Sequence, residues 1–253
     1  MSQPSILISN DDGIYAPGIY ALWEAMSEMG KTTVVAPNTE KSAVGHAITI
    51  SDPIRIEEVT RSNGFKGYAV NGTPADSVKI AVKAIMKVKP DIIISGINAG
   101  ANVGRSLLYS GTISAASEGT FLGIPSIAIS LDSLRDMDFS TSKIVAKKIV
   151  SKVIKHGLPN DTLLNINVPK DVKGGIKGFQ VTRQGAIYFK DNFEKREDPR
   201  GRIYYWMAGE VKDTDIELES DGVAIKEGYV SISPLQLQMT NFDFIDELTK
   251  WNF

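Results

Sequence analysis

Short apolar runs of about five residues alternate, over the first two-thirds of the chain, with segments whose apolar residues recur at three- and four-residue steps. Ser5-Ile6-Leu7-Ile8-Ser9 is the first run, and Asn10-Asp11-Asp12-Gly13 closes it, a buried strand followed by a turn. A helix is predicted next: Pro17 suits its first position, Ile19, Leu22, Trp23, Met26 and Met29 form its apolar face, and Gly30 suits its stop. Thr33–Ala36 predicts a second strand ended by Pro37. Thr73-Pro74-Ala75-Asp76 predicts a capped helix with Val78, Ala81, Val82 and Ile85 on one face. Strands are predicted at Asp91–Ser95, Ser126–Ser130 and Leu163–Val168, and helices at 112–122 and 140–156. Strands apolar on both faces, alternating with amphipathic helices, imply a doubly wound, mostly parallel α/β sheet over residues 1–169.

From 170 onward the texture changes. Gly174, Gly175, Gly178 and Gly185 punctuate alternating segments such as Gln180–Arg183 and Arg202–Met207, which predict hairpin strands. The polar stretch from Lys190 to Arg200 is expected to be a loop, Gly228–Ser233 a strand, and a short helix carries Phe242, Ile245 and Leu248. The expectation is one domain over 1–253, with 170–253 as β-hairpin extensions that mediate oligomerisation, because long hairpins expose edges that a partner chain covers.

Composition narrows the chemistry. The chain has 253 residues, 28 Lys+Arg against 30 Asp+Glu, and a formal net charge of −2, which gives no basic face for a nucleic-acid polymer. The absence of cysteine removes disulfides, thiolate metal sites and every cysteine nucleophile. Only His46 and His156 could serve an imidazole mechanism. No run approaches the roughly 18 apolar residues of a membrane span, and no basic region precedes an apolar one at the start, so a cytoplasmic location is expected.

In an open parallel sheet, ligands bind outside the carboxyl ends of the strands, so the residues after each strand carry most weight. Asp11 and Asp12 are adjacent carboxylates that either repel around a cation or simply sit in an Asx turn. After the second strand, Ser42 offers either a neutral oxygen to a metal or an ordinary turn residue. His46 nearby is a substrate or acid–base contact or a structural residue. Ser95-Gly-Ile-Asn98-Ala-Gly-Ala-Asn102-Val-Gly104 combines glycines, which turn backbone N–H groups toward an anion, with asparagines that serve a cation or a phosphate. Tyr109-Ser110-Gly111-Thr112 opens a small-residue helix, either as a phosphate-binding N-terminus or as a plain cap. Together Asp11, Asp12, Ser42 and Asn98 form an all-oxygen donor set suited to Mg²⁺ or Mn²⁺, with Asn102, Ser110, Gly111 and Thr112 around a phosphate.

Ser9–Gly13, Ala36-Pro-Asn through Ser42 with Gly45–Thr49, Val70–Asp76, Ser95–Asn98 with Asn102, and Tyr109–Thr112 closely resemble, in this order, the survival protein SurE nucleotidases. The likeness covers about residues 5–131, returns at Glu227–Leu235, and is loose between 170 and 226. The resemblance implies a Rossmann-like core and a phosphatase dependent on one divalent cation. Its substrates would be nucleoside 5′- and 3′-monophosphates, with short polyphosphate besides, and its state a homodimer or homotetramer. It implies Asp11, Asp12, Ser42 and Asn98 as metal ligands, with Asp11 or Asp12 orienting the attacking water, and Asn102, Ser110, Gly111 and Thr112 at the phosphate. Arg105 departs from the family pattern, as an anion contact or a surface charge. Two other chemistries compete: an aspartyl-phosphate hydrolase of the haloacid dehalogenase kind, which needs Asp-x-Asp after its first strand, and a regulatory module that binds a nucleotide without turnover.

Overall fold

A computed structural model describes residues 3–170 and 175–253. A nine-stranded sheet forms its centre, in the order β3-β4-β2-β1-β5-β6-β7-β11-β8. The strands are β1 (Ser5–Ser9), β2 (Lys31–Pro37), β3 (Ile56–Thr60), β4 (Lys66–Val70), β5 (Ile92–Ala99), β6 (Ser126–Leu131), β7 (Thr162–Val168), β8 (Gly178–Val181) and β11 (Tyr229–Gln236). The β3–β4 and β7–β11 pairs are antiparallel and the remaining pairs parallel.

Helices cover both faces, as the two-sided apolar strands require. Ile6 and Ile8 of β1 pack toward α1 (Pro17–Ser27) and α4 (Ser140–His156), through Leu22, Met26, Val145 and Ile149. Leu7 points the opposite way, into a second layer with Val78 of α2 (Pro74–Ile80) and Ala115 of α3 (Gly111–Phe121). The same alternation splits Ile92 and Ile94 from Ile93 in β5. Removing a side chain such as Leu22, fully buried here, costs about 2–5 kcal/mol.

Several expectations need correction. Gly30 is not the stop of α1, which ends at Ser27. A side chain there would collide with the Pro4 carbonyl, so Gly30 serves close packing. Gln180–Arg183 is not in a hairpin: β8 runs parallel to β11 in the main sheet. Lys190–Arg200 is not a loop, because β9 (Tyr188–Glu197) pairs antiparallel with β10 (Ile203–Lys212). Its polar sequence carries no alternation, and the strand exists through its partner, with Arg196 opposite Tyr204 and Phe193 opposite Met207. The change of texture at 170 begins within 171–174, so that onset, and Gly174, lie outside the described residues. The remaining α-helices are α5 (Asp221–Lys226) and α6 (Phe242–Thr249), and Ala81–Ile85, expected to continue α2, forms a π-helical turn instead. Among the described residues no helix is long and apolar enough to cross a membrane.

Candidate functional site

The chain leaves β1 toward β2 on one side and returns to β5 on the other, so strand order reverses between β1 and β5. A crevice opens at such a switch point, outside the carboxyl ends of the two strands. Asn10–Gly13 emerge there from β1, and Asn98 and Ala99 end β5. The Asx-turn reading holds for Asn10, whose carboxamide accepts from Gly13 N–H at 3.2 Å and donates to the Gly13 carbonyl at 3.0 Å. Gly13 has the positive φ, 95°, that such a turn asks of glycine. This turn leaves the two carboxylates free to face opposite walls.

Asp11 is buried against the start of α3 and accepts a hydrogen bond of 2.6 Å from Thr112 Oγ. Burial pushes its pKa up, against the Thr112 hydroxyl and the amides of Thr112 and Gly111. Gly111 is required there: a Cβ would lie 2.5 Å from Asp11 Cβ and 2.9 Å from its Oδ2. Asp12 turns to β5 instead, where its Oδ2 accepts from Ala99 N–H at 3.2 Å. Its carboxyl is pushed up to about 6, by burial first, then by the neighbouring charges of Asp11 and Glu40.

The other sequence candidates fall around this pair. Ser42 is exposed and donates to Glu40 at 2.7 Å, in a loop that Lys41 N–H ties to the Asp11 carbonyl at 2.8 Å. Asn98 spends its amide N–H groups on the Ala99 and Gly100 carbonyls, at 3.3 and 2.8 Å, and its carbonyl oxygen has no donor among the described residues. Asn102 is buried and its amide donates to Ser130 at 2.9 Å and to Thr112 at 3.4 Å, so it backs the Thr112–Asp11 bond. Ser110 caps α3, accepting from Ile113 N–H at 3.2 Å. Thus the cap reading and the placement of Gly111 and Thr112 beside a carboxylate are both realised. Among the described residues no three acidic or histidine side chains gather as a metal cluster, so a cation here would depend on neutral oxygens as well.

His46 sits beside Ser110 rather than the carboxylate pair. Its Nε2 is 3.1 Å from Glu118, its ring stacks on Phe121, and it lines a cavity of about 450 Å³ with Ser110, Leu107 and Ile113. Lys79 holds the other oxygen of Glu118 at 3.2 Å. These contacts keep the Glu118 carboxyl below its usual value even though burial alone would raise it.

Sequence reasoning passed over the support beneath the site. Asn165 and Asn167 each donate to the Asn102 carbonyl at 2.9 Å, and Asn167 accepts from Asn102 N–H at 2.8 Å. The available signal was two asparagines, two apart, in the otherwise apolar strand Leu163–Val168. Their spacing puts both on one face, where a polar residue needs a partner.

The family model for survival protein SurE matches residues 6–191. The chain belongs to the SurE family. It is 44% identical over 99% of its length to the 5′-nucleotidase SurE of Caldanaerobacter subterraneus subsp. tengcongensis, covering 98% of that protein. It is 47% identical over 97% of its length to the 5′-nucleotidase SurE of Moorella thermoacetica, covering 95% of it. The crystal structure of SurE from Aquifex aeolicus superposes with a TM-score of 0.86 at 40% identity, covering 99% of this chain and 100% of that one. The SurE match includes the Asp11–Asp12 turn, the Ser42 loop and the Asn98–Thr112 segment.

Proposed function

We propose that the β1–β5 crevice is the active site of a divalent-metal-dependent phosphomonoesterase that releases phosphate from nucleoside 5′- and 3′-monophosphates, and from short polyphosphate. The observation that carries this reading is the Asp11–Asp12 pair, two neighbouring carboxylates at a topological switch point, each fixed to a different wall. Such a pair is uncomfortable on its own, as the raised Asp12 carboxyl indicates, and a cation between the walls would relieve it. The curated relatives are named 5′-nucleotidases, which supports nucleotides as the substrate class.

The residues present fit a hard cation. Asp11 and Asp12 supply charge, the Asn98 carbonyl and the exposed Ser42 hydroxyl supply neutral oxygens, and the chain has no cysteine to offer a thiolate, which favours Mg²⁺ or Mn²⁺. Bound there, the ion would neutralise phosphoryl oxygens and lower the pKa of a water, so that its deprotonated form could attack phosphorus. Asp12, the less buried of the pair, orients that water and takes its proton. Asp11 keeps its place through Thr112, which Asn102 steadies from behind. The first turn of α3, with Ser110, Gly111 and Thr112, faces the phosphate with the positive end of an eleven-residue helix.

The adjacency of Asp11 and Asp12 disfavours the aspartyl-phosphate alternative, whose Asp-x-Asp spacing would aim both carboxylates the same way. We take 1–253 as one domain in which 170–253 also serves assembly into a homodimer or homotetramer. The uncovered Phe193, Trp206 and Met207 of the β9–β10 hairpin support that role. The test is phosphate release from a panel of nucleoside 5′- and 3′-monophosphates by chelator-stripped protein, with Mg²⁺ or Mn²⁺ added back. Metal-restored turnover that Asp12→Asn lacks is expected. Nucleotide binding without turnover under every metal would replace the hydrolase by a binding module.

A further inference from the structure

A cleft of about 1190 Å³ at the carboxyl end of β5 is lined by Asn98, Asn102, Arg105, Tyr188 and Lys190. Asp132, the residue immediately after β6, lines the same cleft. Sheet register places it: Asn98 is opposite Ser130 and Ala99 opposite Leu131, so Asp132 follows the pair at the crevice edge. Its backbone is fixed, since Asp132 N–H donates to the Val168 carbonyl at 2.9 Å and Gly100 N–H to the Leu131 carbonyl at 2.9 Å. The side chain is half-buried, lines the cleft, and has neither a hydrogen-bond nor an ion-pair partner among the described residues. Lys226 and Lys170 act on it from a distance, but Lys226 is already taken by Asp213 at 2.6 Å.

Partial burial raises the pKa of this carboxylate, so a donor entering the cleft would favour its charged form. Its chemistry narrows what could serve it. It only accepts, through two oxygens side by side, and it repels phosphate. The part of a nucleoside 5′-monophosphate that offers two neighbouring O–H donors is the sugar. The surroundings offer something to each other part of a nucleotide. Asn98 and Asn102, which line the cleft, belong to the proposed metal and phosphate groups, and the Arg105 guanidinium sits 5.1 Å from the Tyr188 ring centroid, a flat surface on which a base can stack. That surface is built in: Arg105 N–H donates to the Ile187 carbonyl at 2.8 Å, and buried Asp221 accepts from both Gly104 and Gly185 N–H at 2.9 Å.

We propose that Asp132 binds the ribose hydroxyls of the substrate and so makes this phosphatase prefer ribonucleotides to their deoxy counterparts. The inference rests on the nucleotidase reading of the crevice. It makes Asp132 a specificity determinant, separate from the groups assigned to metal and phosphate.

The test compares kcat/KM for adenosine 5′-monophosphate with its 2′-deoxy and 2′,3′-dideoxy analogues, in wild type, Asp132→Asn and Asp132→Ala, with p-nitrophenyl phosphate as a substrate without sugar. Wild type should lose on the order of 10- to 100-fold across the series, the size expected for hydrogen bonds to a charged acceptor. Asp132→Ala should bring that ratio close to one, chiefly through KM for the ribonucleotide, and Asp132→Asn should fall between. A ratio is independent of the active fraction, so a poorly folding variant still reports it, and the asparagine keeps the size of the side chain. Equal turnover of ribo and deoxy substrates by wild type, or a ratio unchanged in the variants, overturns the proposal. Turnover of neither nucleotides nor p-nitrophenyl phosphate would instead remove the hydrolase reading, and this proposal with it.

Discussion

The crevice between β1 and β5 and the β9–β10 hairpin break the ordinary rules of burial in opposite directions. At the crevice, carboxylates, hydroxyls and carboxamides are buried, and Asp11, Thr112, Asn102, Ser130 and Asn167 form a connected network. On the hairpin, Phe193, Tyr205, Trp206 and Met207 stand in solvent on a two-stranded ribbon that is marginal by itself in water. Buried polar groups kept in one geometry indicate chemistry, and exposed apolar ones indicate a surface that something else covers. On the proposed reading the core positions the reacting groups and the hairpin serves association.

The sharpest way to break this comparison is to remove charge from the crevice. Asp12→Asn should lower phosphate release by at least about 10²–10³-fold, the scale of losing one group that stabilises transition-state charge. The same change should stabilise the metal-free protein at neutral pH. The folded-state value of Asp12, about 6, lies above the ordinary 3.8, so its contribution to stability is complete below about pH 4 and is lost as pH rises through 6. The shift corresponds to about 3 kcal/mol at most and, because the group is only half-buried, to about 1–2 kcal/mol after solvent screening. Thermal midpoints in chelator at pH 5 and 7.5 should therefore fall for wild type and stay level for Asp12→Asn.

Gly111→Ala tests geometry without changing charge. Its methyl would press on Asp11 and on Pro74 Cγ, 3.0 Å away, so about 1–3 kcal/mol of stability and roughly 10²-fold of activity should go, read by denaturant midpoint and by turnover. Thr112→Val removes only the hydroxyl that Asp11 accepts from. Its expected cost is on the order of tenfold in kcat, with the fold intact by circular dichroism.

The hairpin half of the comparison is sharpened by Trp206→Ser with Met207→Ser. Each side chain is worth about 1.5–3 kcal/mol if buried in a partner, so sedimentation should shift toward smaller species while the thermal unfolding of the core barely moves. The smallest effect is expected at Asp76, which completes the capping box of α2 with Thr73 and also accepts from Thr49. Burial would raise its carboxyl, but these hydrogen bonds outweigh it and lower it. Its contribution is thus present above about pH 4 and lost as pH falls further, and Asp76→Asn should cost about 1 kcal/mol at pH 7 by urea titration.

How far these features could be read from the sequence follows physical lines. β1, β5 and β6 are legible because both faces are buried, so their runs are continuously apolar, and α4 because its stripe spans many turns. β3 and β9 are not, because Ile56–Thr60 lies at the sheet edge with mostly exposed residues and Tyr188–Glu197 is polar nearly throughout. Strand direction also escapes a local pattern, which is why Gln180–Arg183 suggests a hairpin when its partner is the distant β11. Within the crevice, Asp11 and Asp12 are visible because they follow β1 in a glycine-closed turn, Asn98 because it ends β5 in a glycine-rich segment, and Gly111 because it opens a helix of small residues. Asp132 and the Arg105–Tyr188 contact are invisible because they come together only through sheet order and long-range packing.

The central claim is that Asp11 and Asp12 form a pair whose electrostatic conflict a cation resolves. Calorimetric titration of Mn²⁺ into chelator-stripped protein tests it directly. One site per chain should appear, tighter at pH 7.5 than at pH 5, and disappear in Asp12→Asn. Binding of equal strength in wild type and in Asp12→Asn would contradict it.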